Sequence, residues 1–384
     1  MKIVDVCAFY APQGGGVRTY VDRKLALGPS YGHEIVVVAP GAEDATERRG
    51  PGARIEWVAA PRLPLDTRYR YFDDPKKVVR RLDAERPDFV EASSPWRTAN
   101  IVAEWQGSAP RSLIMHSDPL AAYAYRWLEP IAAPEQVDRQ FAWFWQRLQR
   151  LTLEFDAVIC ASASLTARLA EHGISRPVTN PMGVSDRLFS PGLRDEGLRA
   201  RMLARCGLPP EACLLLAVGR HAPEKRWPMV VEAVMAVGYE RPLGLVLVGD
   251  GRERSRIARM VDGNPHIHLV APIGDRRALA RLMASADALV HGCEAETFSM
   301  VAAEAAASGL PLIVPDRGGA ADHAAANDGF TYEAGSAADA ARAIRAFLDA
   351  GVRPTPKPVR TIEDHFRDLF ALYERLGRLD RSAA

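Results

Sequence analysis

An α/β protein of two doubly wound domains is what the 384-residue sequence predicts, and three observations carry the prediction. Short apolar runs alternate with helix-period stretches from end to end, the pattern of parallel sheets covered by helices. The runs set β-branched residues on consecutive positions, as in Ile35-Val36-Val37-Val38, which suits strands buried on both faces. Midway, Arg176-Pro177-Val178-Thr179-Asn180-Pro181-Met182-Gly183, followed by Pro191 and Gly192, carries prolines and glycines at a density that stops helix and sheet alike. We place a hinge at 176–191, dividing residues 1–183 from 184–360 and leaving 361–384 as a terminal helical stretch.

Taken in order, the first-domain strands are expected at 2–9, 34–39, 54–58, 88–91, 112–116 and 157–161. Those of the second domain are expected at 213–218, 243–248, 266–270, 288–291 and 312–314. The two domains would face each other across a central cleft. Lys and Arg number 49 against 48 Asp and Glu, a net charge of +1, so nothing resembles the basic footprint of a nucleic-acid binder. No apolar run approaches 18 residues, and Asp5 interrupts the N-terminal run too soon for a signal peptide. The five cysteines (Cys7, Cys160, Cys206, Cys213, Cys293) form no close pair, which fits a reducing cytoplasm.

Gly14-Gly15-Gly16 follow the first strand and open a helix near Val17. Glycines there let backbone approach a ligand, and the helix start offers unpaired N–H groups to an anion; a bare tight turn reads equally well. A dinucleotide site would need G-x-G-x-x-G and an acid ending strand two, where this chain has Ala39-Pro40-Gly41. In the second domain three stretches sit at strand C-terminal ends, where open α/β sheets bind ligands. Gly219-Arg220 with Lys225 offers a planar fork and a point charge to a phosphate, although loop cations are commonly just solvated. Gly249-Asp250-Gly251 allows close approach of a ligand. In Glu296-Thr297-Phe298-Ser299-Met300, Thr297 or Ser299 can cap the next helix, which Gly309-Leu310-Pro311 ends. Glu304 lies inside that helix among alanines, where a carboxylate needs a partner, and Glu296 lies near the unpaired N–H groups of Phe298, Ser299 and Met300.

On these residues the chain resembles the retaining GT-B glycosyltransferases of family 4, whose signature is two glutamates separated by seven residues. Glu296 and Glu304 match it, and Gly219-Arg220 with Lys225 matches the phosphate-binding cations; nearly the whole chain follows in family order. The departures are Thr297-Phe298-Ser299 in place of Gly-Phe-Gly, and Lys225-Arg226 in place of Lys-Gly. The resemblance implies two Rossmann-like domains, the first for the acceptor and the second for the donor, with the terminal helix packed back on the first. It implies transfer of a hexose from a UDP- or GDP-linked sugar to a hydroxyl, forming an α linkage. His116, Arg220, Lys225 and Glu296 would be catalytic. Gly15, Gly16, Gly249, Asp250, Thr297, Phe298, Ser299, Met300 and Glu304 would bind the donor, with Glu304 on the ribose. Arg18, Arg68, Tyr69 and Asp118 would lie on the acceptor side, Asp118 as a partner for His116.

Residues 62–81 hold seven basic and three acidic side chains with Tyr69, Tyr71 and Phe72, and residues 123–150 hold Trp127, Phe141, Trp143, Phe144, Trp145, Arg147 and Arg150. Such interleaving suits an anionic membrane surface, while a packed helix with a solvated face is the plainer reading. A lipid or a glycan acceptor, and a cytoplasmic enzyme with or without peripheral contact at the inner face of the membrane, remain open. So does a sugar-nucleotide epimerase on the same fold. His266 and His268 alternate on a strand and face opposite ways, so they make no metal site. There is no Asp-x-Asp, so no metal or other cofactor is expected, and charge at the diphosphate falls to Arg220, Lys225 and helix N-termini. Transferase activity should therefore survive a chelator; activity that vanishes in EDTA and returns with Mg²⁺ or Mn²⁺ would refute this.

Overall fold

The computed structural model describes residues 1–11, 16–64, 66–116, 118, 120, 134–185, 188–351 and 357–383. The chain divides into two compact units. One comprises Met1–Asp118, Leu128–Pro181 and Glu363–Ala384, the other Pro119–Trp127 and Met182–Ile362. The expected divisions stood at 183/184 and 360/361; these fall at 181/182 and 362/363.

The first unit is built on an eight-stranded sheet. Its strands are β1 (Lys2–Val6), β2 (Glu34–Gly41), β3 (Ala45–Gly50), β4 (Ala53–Ala59), β7 (Phe89–Ala92), β8 (Arg111–Met115), β9 (Ala157–Cys160) and β10 (Pro177–Thr179). A separate hairpin pairs β5 (Arg62–Leu63) with β6 (Asp66–Arg70). The sheet order is β10-β9-β8-β7-β1-β2-β4-β3, parallel except for β3 against β4. The order therefore reverses between β1 and β7, which is the switch point of this sheet. Ile35 to Ala39 are fully buried, as their run of apolar residues requires.

The second unit holds one six-stranded, all-parallel sheet in the order β13-β12-β11-β14-β15-β16. These strands are β11 (Cys213–Val218), β12 (Leu243–Val248), β13 (Ile267–Val270), β14 (Ala288–Val290), β15 (Leu312–Pro315) and β16 (Phe330–Tyr332). That is the 3-2-1-4-5-6 order of a doubly wound nucleotide-binding sheet, with its switch point between β11 and β14. Apolar clusters fill both faces, one around Leu214, Leu216 and Leu289, the other around Leu215, Trp227 and Val290.

Four elements differ from expectation. Proline does not stop the sheet at Pro177–Thr179, which pairs with β9 as an edge strand; proline is tolerated at the first position of such a strand. β3 is polar and exposed, as an edge demands, and β16 has only three residues. The β5–β6 hairpin occupies part of the basic segment 62–81, for which a packed helix with a solvated face is the plainer reading of the sequence.

A buried charge network holds the first unit together. Lys24, on helix Gly16–Leu27, is wholly buried with its Nζ 2.8 Å from Asp5 on β1 and against Glu91 on β7. Ser93 donates to Asp5 at 2.7 Å, and Tyr373, on helix Ile362–Ala383, donates to Glu91 and stacks on Phe89 at 4.0 Å. Burial and the Asp5 charge push Glu91 up to about 7 against the pull of Lys24. Removing the cation leaves two buried carboxylates uncompensated, so Lys24→Met should lose about 3–5 kcal/mol in urea denaturation. Tyr373→Phe removes one buried donor and should lose about 1–3 kcal/mol. A Lys24→Met variant as stable as the parent would show that the network holds nothing.

Candidate active site

The second unit's site is assembled from the loops that leave β11, β12 and β14 around the switch point. The β11 and β12 loops touch backbone to backbone: a Cβ on Gly249 would lie 1.9 Å from the Gly219 carbonyl oxygen, so no larger residue fits. The next residue, Asp250, is exposed; its carbonyl accepts from the His221 N–H at 2.7 Å and its carboxylate from Gly251 N–H at 2.7 Å. A Cβ on Gly292 would lie 2.5 Å from the Lys225 carbonyl oxygen, which presses the β14 loop onto the β11 loop in the same way.

At that contact Lys225, nearly buried at the end of the short turn Pro223–Lys225, pairs its ammonium with the Glu296 carboxylate. The other Glu296 oxygen lies 3.0 Å from Nε2 of fully buried His291, close enough to attract but off the line of a hydrogen bond. Burial pushes Glu296 up, but His291 and Lys225 together outweigh it and hold the carboxyl well below the usual range. Burial pulls Lys225 down, and the Glu296 charge more than restores it. The pair is therefore ionised at neutral pH, an ammonium fixed in place before any anion arrives. Arg220 is not brought to it. Its guanidinium is 77% exposed and pairs with Glu224 at 2.9 Å.

The loop after β14 departs from the expected capping. Ser299 is the N-cap of helix Met300–Ala307, but its backbone is left-handed (φ 62°) and its buried hydroxyl makes no capping bond. Nor does the Glu296 carboxylate serve the helix N–H groups; it is engaged by Lys225, while its carbonyl accepts from Gly319 at 2.7 Å. Thr297 is half-buried between them, Phe298 is buried edge-on to His323 at 4.7 Å, and Met300 is exposed. Glu304 is only 5% exposed and paired with Arg276, as a carboxylate among alanines requires. Burial raises it, and Arg276 offsets part of the rise.

In the first unit His116 follows β8, with its ring edge-on to Tyr20 at 4.9 Å. Burial, then the Lys24 charge, pulls it down to about 4, with Asp5 opposing. Asp118 pairs with Arg168, and Arg168 also reaches Asp138 at 3.2 Å. Arg18 pairs with Asp22 at 3.3 Å on its own helix, and Tyr69 lies edge-on to Phe9 at 6.0 Å. Gly16 opens helix Gly16–Leu27, while Gly14 and Gly15, Trp127 and the side chain of Arg68 lie outside the described residues. In helix Ala142–Thr152, Phe144 and Trp145 are core and Trp143 is 60% exposed, so this part of the aromatic segment is a packed helix.

Sequence reasoning missed His291, Arg276 and the pair of Arg226 with Glu294, whose carboxylate oxygens lie 2.8 and 3.0 Å from the guanidinium Nε. Each is recognisable only by its tertiary partner. It also missed that His291, Cys293 and Glu296 bring ligand atoms within 4.8 Å of one another, a group able to hold a metal ion, though the Lys225 ammonium already neutralises Glu296 there. Burial pushes the Cys293 thiol up to about 12.

Residues 15–183 match the glycosyl transferase 4-like domain, and residues 212–350 match the glycosyl transferases group 1 domain. A GDP-mannose-dependent alpha-(1-6)-phosphatidylinositol dimannoside mannosyltransferase of Mycobacterium tuberculosis is 30% identical over 318 residues, 82% of this chain and 79% of that one. A GDP-mannose-dependent alpha-mannosyltransferase of the same species is 31% identical over 328 residues, 84% and 81% of the two chains. Among solved structures, sucrose-phosphate synthase from Thermosynechococcus elongatus superposes with a TM-score of 0.68 at 20% identity, covering 100% and 99% of the chains. WaaG, a glycosyltransferase involved in lipopolysaccharide biosynthesis, superposes with a TM-score of 0.61 at 18% identity, covering 98% and 99%. The fold and the similarity together define a GT-B enzyme with two Rossmann-like domains. The chain belongs to the group 1 glycosyltransferases, of the family 4 type, and is a glycosyltransferase; the epimerase alternative is not favoured.

The depressed His116 predicts a pH dependence of stability. The unfolded chain, with its histidine near 6.5, binds more protons than the folded one between pH 4 and 6.5. His116 therefore makes stability fall as pH drops through that window, and His116→Gln should lose less Tm between pH 6.5 and 4 than the parent. Parallel Tm curves would refute a buried, neutral His116.

Proposed function

We propose that this enzyme transfers mannose from GDP-mannose to a hydroxyl of a lipid or glycan acceptor, with retention and with no bound metal or other cofactor. The observation that carries the donor site is the preformed Lys225–Glu296 pair at the switch point of a 3-2-1-4-5-6 sheet. The donor's identity is supported by the relatives at 30–31% identity, whose names specify GDP-mannose. The lipid acceptor is supported by the one named for phosphatidylinositol dimannoside. Among the described residues no helix is long and apolar enough to cross a membrane.

In this reading the diphosphate draws Lys225 away from Glu296, and the released carboxylate accepts hydrogen bonds from the sugar hydroxyls. Negative charge grows on the leaving phosphate as the glycosidic bond breaks, so the ammonium stabilises the transition state more than the ground state. Arg220 swings in from solvent to the same phosphate. Glu304 takes the ribose hydroxyls, with Arg276 giving way. Backbone at Gly16, Gly249 and the Thr297 to Met300 loop lines the donor, with Asp250 beside it. His116, neutral through burial, contacts the sugar without placing positive charge near a carbon that itself becomes electron-poor. Arg18, Arg68, Tyr69 and Asp118 remain on the acceptor side.

Two measurements test this. GDP-mannose at 100 times its Kd should stabilise the protein by about 2.7 kcal/mol, and UDP-glucose at the same concentration by less. Equal shifts would overturn the donor assignment. With phosphatidylinositol dimannoside supplied as acceptor and GDP release as readout, Lys225→Ala should lower kcat by roughly 10²- to 10³-fold. Arg220→Ala should act in the same direction but less, since its guanidinium must first be recruited. Glu304→Ala should chiefly raise the donor KM, because ribose contacts change little during reaction. A Lys225→Ala variant altered only in KM would remove Lys225 from the leaving group.

A further inference from the structure

Two ion pairs, side by side, tie the loop after β11 to the loop after β14. One is Lys225–Glu296; the other is Arg226–Glu294. The Arg226 Nε sits 2.8 Å from Oε2 and 3.0 Å from Oε1 of Glu294, and Nη2 also donates to Oε1. Both side chains are about one-fifth exposed, at 18% and 20%. Arg226 makes this contact from a left-handed backbone (φ 48°, ψ 34°), a conformation that costs any residue with a Cβ and costs glycine nothing. Its position is bracketed from both sides: its N–H closes the turn Pro223–Lys225, and its carbonyl accepts from Val230 in helix Trp227–Gly238. Across the contact, a Cβ on Gly292 would lie 3.4 Å from the Arg226 Cβ.

The two pairs face different fates when an anion enters. A ligand phosphate that takes the Lys225 ammonium must take it from Glu296, and that tie between the loops is then lost. Arg226–Glu294 holds a forked, pre-oriented contact that the ligand does not compete for. We propose that Arg226 and Glu294 are positioning residues that keep the two loops in register while Lys225 changes partner from Glu296 to the donor diphosphate. This rests on the reading of Lys225 as the diphosphate's cation.

The test is calorimetric binding of GDP to the full chain, which needs no acceptor. Arg226→Gly removes the fork and supplies the residue best suited to the backbone, which offsets part of the cost of leaving Glu294 without its cation, so it should still fold cooperatively. It should nevertheless weaken GDP by about tenfold, within the range of coupling between neighbouring groups. Glu294→Gln should do the same, and the exchanged double variant Arg226→Glu with Glu294→Arg should recover part of the loss. In a Lys225→Ala background Arg226→Gly should have no further effect, since it acts through Lys225; a merely structural role would subtract equally in both. Parental GDP affinity in Arg226→Gly, or an equal loss with and without Lys225, overturns the positioning role alone. A Lys225→Ala variant that binds GDP as tightly as the parent overturns the donor-site reading first.

Discussion

An ammonium sealed from water cannot be left without anions, and much of the first unit is arranged to satisfy Lys24. Its two carboxylates come from neighbouring strands, β1 and β7, on either side of the point where the strand order reverses. Meeting both fixes the roll of helix Gly16–Leu27, whose first turn begins at the end of the glycine loop. Tyr373 then has to reach Glu91, which brings the last helix onto the same strands. Tyr20, one turn before Lys24, is thereby set against His116. Burial keeps that histidine neutral, and the charge of Lys24, a lysine it does not touch, adds to the effect.

The second unit repeats the arrangement with one change. Again a lysine that follows the sheet's first strand pairs with a glutamate on or just after the strand across the switch point, Lys225 with Glu296 as Lys24 with Glu91. In the first unit the lysine reaches from a helix onto the sheet, and the pair is wholly buried. In the second both residues have moved past the strand ends into loops, where Glu296 retains a quarter of its side-chain exposure. On the proposed reading of Lys225, the displacement turns a structural charge pair into one that a ligand can enter. A desolvated pair is costly to create and strongly felt when broken, so the open version is best suited to an anion that replaces one partner in kind.

What could be read from the sequence follows from how local each determinant is. The strand expected at 34–39 is recognisable because Ile35 to Ala39 are all apolar and four of the five are β-branched, a property needing no knowledge of neighbours. β3 is not, because an edge strand exposes polar side chains and its register comes from β4. Lys225, Glu296 and Glu304 stand out by spacing within two short segments. Arg276 and His291 do not, since an arginine at a helix start and a histidine at a strand end acquire meaning only from Glu304 and Glu296. Ser299 shows the opposite failure. Its residue type is right for a cap, yet a left-handed backbone turns its hydroxyl from the role composition suggests.

The link between Glu91 and Tyr373 spans 282 positions of chain. During synthesis at about 5–20 residues per second, strand β7 waits roughly 15 to 60 s for the tyrosine that completes its hydrogen bonding. Through that interval the complete second unit is threaded between two parts of the first. Until then Glu91 can have Lys24 and Ser93 but not Tyr373, and the face of Phe89 on which Tyr373 stacks has no cover from it. The order of assembly is therefore inverted relative to the order of translation: the half made first is the half that closes last.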